Sequence, residues 1–427
     1  MNIAFITPSG YGNLGDVAIQ DAFLDNVRRQ FGSDVEFVGI TQNPSDTEAR
    51  HHVRAVPMDV EAFRLRASPS PNRVAGSDDD QARPTLLQAT MARGVKRALK
   101  EILHWGIAFR EMRRADILVV SGGGQLDDHW GGPWRVPYAL WKWSLAARLF
   151  RAHVVFLSVG AGTTESRVTQ FLLRSALRRA QYVSFRDSRT AARVRSQRLS
   201  ASTRVVPDLA FSHLARSGRN GQLHRAPRIV ISPMAFLDPA TWPAKDASAY
   251  RSAVERTGAL ARRLVQRGYH VTLCTSDTPD IKTAEEVFET ASQHDAAEQR
   301  SGVLELADTR SLASLLECLR SADLVIASRL HGLILANLVG APTIALSYDW
   351  KVDEHMRDMG LARYIFGLET FEPRDVVRAS DEALAQGGNL SAAIVKRCGR
   401  LSTKVVEQYG VALRPIAEHR TSSGSSR

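Results

Sequence analysis

The stretch that decides the fold is Asp323–Lys351, DLVIASRLHGLILANLVGAPTIALSYDWK. The apolar run Leu-Val-Ile-Ala at 324–327 is too short for a helix and contains β-branched residues, so it reads as a buried strand. After Ser328 and Arg329 a mostly apolar segment runs on to Gly340, a helix length, and Gly340-Ala341-Pro342 stops it. Thr343–Ser347 is a second strand. Strand, helix, strand in so short a span is a parallel crossover unit.

Chemistry sits at the first junction. Residues i and i+2 of extended chain share a face, so Arg329 and His331 project together from the strand end. Gly332 opens the helix, whose free N–H groups favour an anion. Arg329 and Gly332 are therefore candidate substrate-binding residues for an anionic group. His331 titrates near neutrality and is the candidate catalytic acid/base. Lys351, just past the second strand, would add a cation.

The same alternation recurs along the chain. Strands are expected at Asn2–Thr7, Val35–Ile40, Asp116–Ser121, His153–Val159, Gln181–Arg186 and Thr203–Val206, with helices between most of them. A second series is expected at Arg228–Ser232, His270–Cys274, Val303–Leu306, Asp323–Ala327 and Thr343–Ser347. This pattern predicts an α/β protein of two Rossmann-like parallel-sheet domains facing a cleft, where ligands bind. The N-terminal domain is expected over 1–214, with a low-complexity insertion at 67–84 (SPSPNRVAGSDDD at its centre). A polar linker at 215–226 leads to a C-terminal domain over 227–410, and 411–427 reads as a flexible tail.

The chain has 427 residues, 44% hydrophobic and 24% charged, ordinary values for a globular protein long enough for two cores. Fibrous and wholly disordered classes are excluded. The net charge is +11, but arginines are scattered and not gathered in one tail, so no nucleic-acid partner is expected. An anionic substrate or membrane surface fits the surplus. The long helix expected at Thr85–Arg114, basic on one side, is the candidate for peripheral membrane contact. Cys274, Cys318 and Cys398 form no CxxC pair, which supports neither a disulfide framework nor a zinc site. No leader or membrane span is read at either MNIAFITPSG or Leu330–Leu346, so a cytoplasmic protein is expected, peripheral at most to the inner membrane face.

Three further motifs carry candidate chemistry. Gly10-Tyr11-Gly12-Asn13-Leu14-Gly15 follows the first strand and opens a helix. It matches the dinucleotide fingerprint, yet the acidic residue due at the end of the second strand is missing, and Asp16 would compete with a pyrophosphate. One reading is a tight turn with Asn13 or Asp16 as helix cap; the other makes Asp16 a catalytic residue that holds or deprotonates a sugar hydroxyl, with Asn13 as a substrate-binding residue. Gly122-Gly123-Gly124, followed by Asp127, lets a ligand approach backbone at a strand's carboxyl end. Asp127-Asp128-His129 alone is too little for a metal site, and none is expected. Arg186-Asp187 closes another strand, where the arginine could grip phosphate or carboxylate; Asp208 follows a shorter one.

Taken in order, these motifs resemble the polysaccharide pyruvyl transferase family. The residues concerned are Gly12-Asn13-Leu14-Gly15-Asp16, Gly122-Gly123-Gly124 with Asp127, Arg186-Asp187, Asp208, Arg329-Leu330-His331-Gly332, Gly340-Ala341-Pro342 and Tyr348-Asp349-Trp350-Lys351. The likeness runs to about residue 360, is poor through 43–114 and is absent from the tail. It implies a fold similar to the GT-B glycosyltransferases, phosphoenolpyruvate as donor substrate with no cofactor, and a glycan or a lipid-linked or nucleotide-linked sugar as acceptor, in cell-surface polysaccharide biosynthesis. It also implies that Arg329 and His331 contact the donor, with Arg186 helping. A sugar-nucleotide-dependent GT-B glycosyltransferase is the alternative enzyme, and a non-catalytic glycan- or membrane-associated module the alternative outside catalysis. The oligomeric state is open.

Overall fold

A computed structural model describes residues 1–7, 10, 12–62, 86–129, 131–162, 166–195, 203–213, 226–242, 244–293 and 302–424. The chain divides into two compact units. Unit 1 is Met1–Tyr11, Leu24–Leu209 and Glu407–Arg427; unit 2 is Gly12–Phe23 and Ala210–Val406. The expected insertion at 67–84 lies outside the described residues, as does nearly all of the linker at 215–226.

Unit 1 holds seven parallel strands: β1 (Asn2–Ile6), β2 (Glu36–Thr41), β3 (Arg54–Pro57), β4 (Ile117–Ser121), β5 (His153–Val159), β6 (Tyr182–Phe185) and β7 (Thr203–Val205). Their order is β3-β2-β1-β4-β5-β6-β7. β1 pairs β2 on one side and β4 on the other, with Ile3 opposite Phe37 and Ile117. Helix α1 (Leu14–Phe31) belongs to unit 2 as far as Phe23 and to unit 1 from Leu24; unit 1 also holds α2 (Pro44–His51), α3 (Leu86–Met112), α4 (Val136–Leu149), α5 (Arg167–Leu177) and α6 (Ser188–Arg195). The inner strands β1, β4 and β5 are apolar and buried almost throughout, as expected of parallel strands covered on both faces. Trp143 of α4 is fully buried in this core, and its indole N–H donates to Met58 O at 2.9 Å.

Unit 2 repeats the plan with β8 (Arg228–Ser232), β9 (His270–Leu273), β10 (Val303–Leu306), β11 (Leu324–Ala327), β12 (Thr343–Ser347) and β13 (Ile365–Gly367). The order is β10-β9-β8-β11-β12-β13, again all parallel. Its helices include α7 (Ala247–Gln266), α8 (Ile281–Ser292), α9 (Leu312–Ser321), α10 (Leu330–Leu338), α11 (Trp350–Asp358) and α12 (Pro373–Ala385); α13 (Gly387–Gly424) belongs to unit 2 as far as Val406 and to unit 1 from Glu407. α10 is buried on every side from Gly332 to Leu338, which is why its sequence is apolar all round.

The expected flexible tail is a correction. α13 continues through 411–427 as far as Gly424, and Ala412, Leu413 and Ile416 are buried. Gln408, just before that stretch, anchors the same helix. β5 carries a bulge at which Ser158 adopts φ 49°. There the Ser158 N–H donates to Ser184 Oγ (2.7 Å), the Ser184 hydroxyl donates to Gln408 Oε1 (2.6 Å), and Gln408 Nε2 donates to Ser158 Oγ (2.9 Å). A residue from the C-terminal helix thus satisfies polar groups that the bulge leaves inside the sheet. Among the described residues no helix is long and apolar enough to cross a membrane.

Candidate active site

In unit 2 the strand order reverses at β8, which pairs β9 on one side and β11 on the other. Open parallel sheets bind ligands beyond the carboxyl ends of the strands at such a point. Chain leaving β9 and β11 brings Asp277, Asp280 and Arg329 together here. Arg329 is the N-cap residue of α10, still extended at φ −76°, ψ 133°. Its Nε and Nη2 donate to the two oxygens of Asp280, both at 2.8 Å, and its Nη1 lies 3.3 Å from Asp277 Oδ2. Asp280 is fully buried and also accepts from the Ala235 N–H at 2.9 Å.

The electrostatics follow from this packing. Burial opposes the charged guanidinium of Arg329, but Asp280, then Asp277 and Tyr348, outweigh it and hold the arginine more firmly protonated than usual. For Asp277 the balance goes the other way. Burial, with Asp280 and Asp16 nearby, overcomes the attraction of Arg329 and pushes its carboxyl up to about 7. The site therefore holds a fixed cation, a fully buried Asp280 side chain paired to it, and a second carboxyl that holds its proton far more readily than an ordinary aspartate.

The first turn of α1 belongs to the same unit. Asn13 caps it, its Oδ1 accepting from the Gly15 N–H (2.9 Å) and the Asp16 N–H (3.2 Å). Its Nδ2 points to Asp277 Oδ2 at 3.4 Å, and the Leu14 N–H donates to Ser276 O at 2.9 Å. The glycines of this segment are required by close approach. A Cβ on Gly12, whose φ is +85°, would lie 1.8 Å from Thr278 Oγ1, and one on Gly15 would lie 2.2 Å from His331 Cγ. So the imidazole of His331 rests against the start of α1, and two segments more than three hundred residues apart in the chain meet at one spot.

A family model described as polysaccharide pyruvyl transferase matches residues 13–349, from the cap residue of α1 to the turn after β12. The chain belongs to the polysaccharide pyruvyl transferase family. Membership of that family makes it an enzyme. No curated protein matches the chain in sequence. Among solved structures, the UDP-GlcNAc 2-epimerase of Neisseria meningitidis bound to UDP-GlcNAc superposes with TM-score 0.55 at 8% identity, covering 96% of this chain and 100% of that one. The UDP-GlcNAc 2-epimerase of Methanocaldococcus jannaschii gives 0.52 at 9% identity, over 89% and 92%. The N-terminal domain of the Candida albicans trehalose-6-phosphate phosphatase gives 0.51 at 12% identity, over 98% and 96%. At such identities the likeness shows the fold, which is GT-B-like.

The other expected residues of this pyruvyl transferase family member are placed as follows. Gly332 is buried in the first turn of α10. Lys351 stands in the first turn of α11, capped by Asp349, with its Nζ 5.8 Å from the Trp350 ring centre. Arg186, Gly122, Gly123, Gly124 and Asp127 lie in unit 1. Gly122 and Gly123 have φ of 64° and 72°, conformations that favour glycine, and they carry the chain from β4 across to the turn after β5. The Gly122 N–H donates to Leu157 O and the Gly160 N–H to Gly123 O, both at 2.8 Å. Asp127 presses on Gly162, where a Cβ would come within 2.7 Å of it. Arg186 forms an ion pair with Asp208 at 3.2 Å, with side chains 9% and 2% exposed. Both expected anion-binding arginines thus already hold a carboxylate.

Asp277 and Asp280 did not stand out in the sequence. TSDTPD at 275–280 reads as a turn between strand and helix, and turns favour Asp for local reasons. The available signal was two carboxylates three residues apart at a strand's carboxyl end, which acquires meaning only with Arg329 opposite.

Proposed function

We propose that this chain transfers a pyruvyl group from phosphoenolpyruvate to two hydroxyls of one sugar in a glycan or glycan precursor, and that the unit 2 cluster receives the donor. The observation that carries the reading is the meeting of His331 with the glycine-rich start of α1 beside the Arg329–Asp277–Asp280 group. Family membership supplies the reaction class; the cluster supplies groups suited to it.

Ketal formation needs a proton delivered to the methylene carbon of the donor, which leaves an oxocarbenium-like centre at the neighbouring carbon. One sugar hydroxyl adds there and gives up its proton. Phosphate then leaves, and the second hydroxyl adds and loses its proton in turn. Two protons are released from hydroxyls, one is taken by carbon, and phosphate carries the other away. Asp277, with its carboxyl raised to about 7, is suited to exchange protons near neutral pH, and the His331 imidazole is the second proton-transfer group, help worth about 10²–10⁴-fold in such reactions. In this reading Asp16 orients or deprotonates a hydroxyl. Asp280 engages Nε and Nη2 of Arg329, so in this reading the donor's carboxylate or phosphate is held by the remaining N–H groups of Arg329 and by the N-terminus of α10, with Lys351 as a further cation. In unit 1 the side-chain-free turn Gly122-Gly123-Gly124, with Asp127, has the character of an acceptor-binding edge, and Arg186 with Asp208 stiffens the neighbouring turn.

The test measures phosphate release from phosphoenolpyruvate with lipid-linked and nucleotide-linked sugars, for the wild type and His331→Gln. Release that depends on a sugar and falls at least about a hundredfold in the variant supports the reading. Thermal protection by UDP-, GDP- or CMP-sugars but not by phosphoenolpyruvate would favour a glycosyltransferase and overturn it.

A further inference from the structure

Helix α3 is apolar on two opposite sides. Its inner side, including His104, Ala108 and Met112, is buried in the unit 1 core. Its outer side carries Leu99, Ile102 and Leu103, which are 57%, 67% and 68% exposed. Spaced i, i+3 and i+4, they form one stripe, and Gly106 continues it into open space. Single exposed aliphatic residues are ordinary; a contiguous stripe on a helix marks a binding face.

Cations bracket the stripe. Lys96, Arg97 and Lys100 lie at one end and Arg110, Arg113 and Arg114 at the other, all exposed. The acids within 96–114 are already engaged. Glu101 accepts from Lys142 Nζ at 2.8 Å and from the Tyr138 hydroxyl at 2.9 Å, and Glu111 is buried against Arg54 and Arg110. At the basic C-terminal end, the rings of Phe109 and Phe150 lie 5.6 Å apart and, with Arg110, Arg113 and Arg114, line a cavity of about 410 Å³. At the other end Trp134, 59% exposed, lines a second cavity of mixed charge with Arg97, Arg135, Asp59, Glu61 and Glu101.

We infer that this face of unit 1 rests on a membrane surface rich in anionic phospholipid. Aliphatic residues flanked by Lys, Arg and aromatic rings are the composition that lies in the interfacial plane, the stripe entering the acyl boundary and the cations meeting phosphate headgroups. A nucleic acid would use the cations and leave the Leu/Ile stripe in water. A second copy in a two-fold contact would bring like-charged ends of this face together. Docking here would hold the protein where lipid-carried sugars are presented, and it does not depend on the identity of the donor.

The full chain is tested by co-sedimentation with phosphatidylcholine vesicles, with and without phosphatidylglycerol, at low and high salt. The expected result is binding that requires phosphatidylglycerol and weakens with salt. Ile102→Ser/Leu103→Ser should weaken it at least about tenfold, from lost apolar burial. Arg113→Ser/Arg114→Ser should also weaken it about tenfold or more, from lost headgroup attraction. Thermal unfolding should barely change in either variant, since these side chains are exposed. No phosphatidylglycerol-dependent binding, or binding indifferent to both double variants, overturns the inference. So does a wild-type dimer without vesicle binding that Ile102→Ser/Leu103→Ser dissolves, because the face then belongs to a second copy.

Discussion

Replacing Asp277 by Asn should make the protein more stable at alkaline pH, and the gain should fade as the solution is acidified. In the folded chain this carboxyl is pushed from its ordinary 3.8 to about 7, chiefly by burial, with Asp280 and Asp16 adding to the effect against Arg329. The folded state therefore keeps a proton that the unfolded chain gives up. The contribution is full below the unfolded value and is lost as pH rises towards 7, so stability falls with pH over that window. Above both values the charged form costs about 4 kcal/mol relative to the unfolded chain. Asparagine has nearly the shape of the protonated acid and never ionises. Groups titrating elsewhere are common to both proteins and cancel in the difference. Urea unfolding of wild type and Asp277→Asn between about pH 5 and about pH 8.5 should show the variant's advantage growing by nearly 3 kcal/mol, a figure rounded from the same linkage. Parallel stability profiles would refute the buried, charge-crowded picture of Asp277, and with it the assignment of a proton-exchanging carboxyl to this site.

Gly15→Ala would gain up to about 1 kcal/mol at an ordinary exposed helix position. Here the new methyl must displace His331, so activity should drop by about 10²-fold or more, read as kcat in the phosphate-release assay. Arg329→Ala leaves Asp280 buried without its partner and should cost about 3–5 kcal/mol in urea unfolding, so activity lost in that variant reports stability as well as donor binding. Gln408→Ala strands Ser158 and Ser184 inside unit 1 and should cost about 1–3 kcal/mol, whereas truncation of a frayed tail would cost nothing measurable.

The strand–helix alternation was legible because parallel strands buried on both faces must be short apolar runs, and β1, β4, β5, β8, β11 and β12 all fall within a residue or so of their expected places. β3 (Arg-Ala-Val-Pro) and β13 (Ile-Phe-Gly) were not anticipated: each is short and ends in a residue, Pro57 or Gly367, that reads locally as a turn former. The end of α13 was missed because its polar C-terminal residues resemble a tail, while Leu413 and Ile416 are buried and Gln408, just before them, is held by Ser158 and Ser184 far off in sequence. At the site, Arg329, His331 and Asn13 were visible from residue type and position at a strand or helix end. Their partners were not, since no local pattern distinguishes Asp280 from an ordinary turn residue.

From its residues alone the chain settles which segments are strands, which are helices, and that basic and titratable groups stand at a strand's carboxyl end. Hydrophobic period and backbone chemistry are local properties, so the order of residues suffices for them. Only the folded form decides that a carboxylate neutralises Arg329, that Asp277 holds its proton near pH 7, and that the beginning of α1 joins unit 2. Charge balance and burial depend on which atoms lie within a few ångströms, and those atoms arrive from opposite ends of the chain.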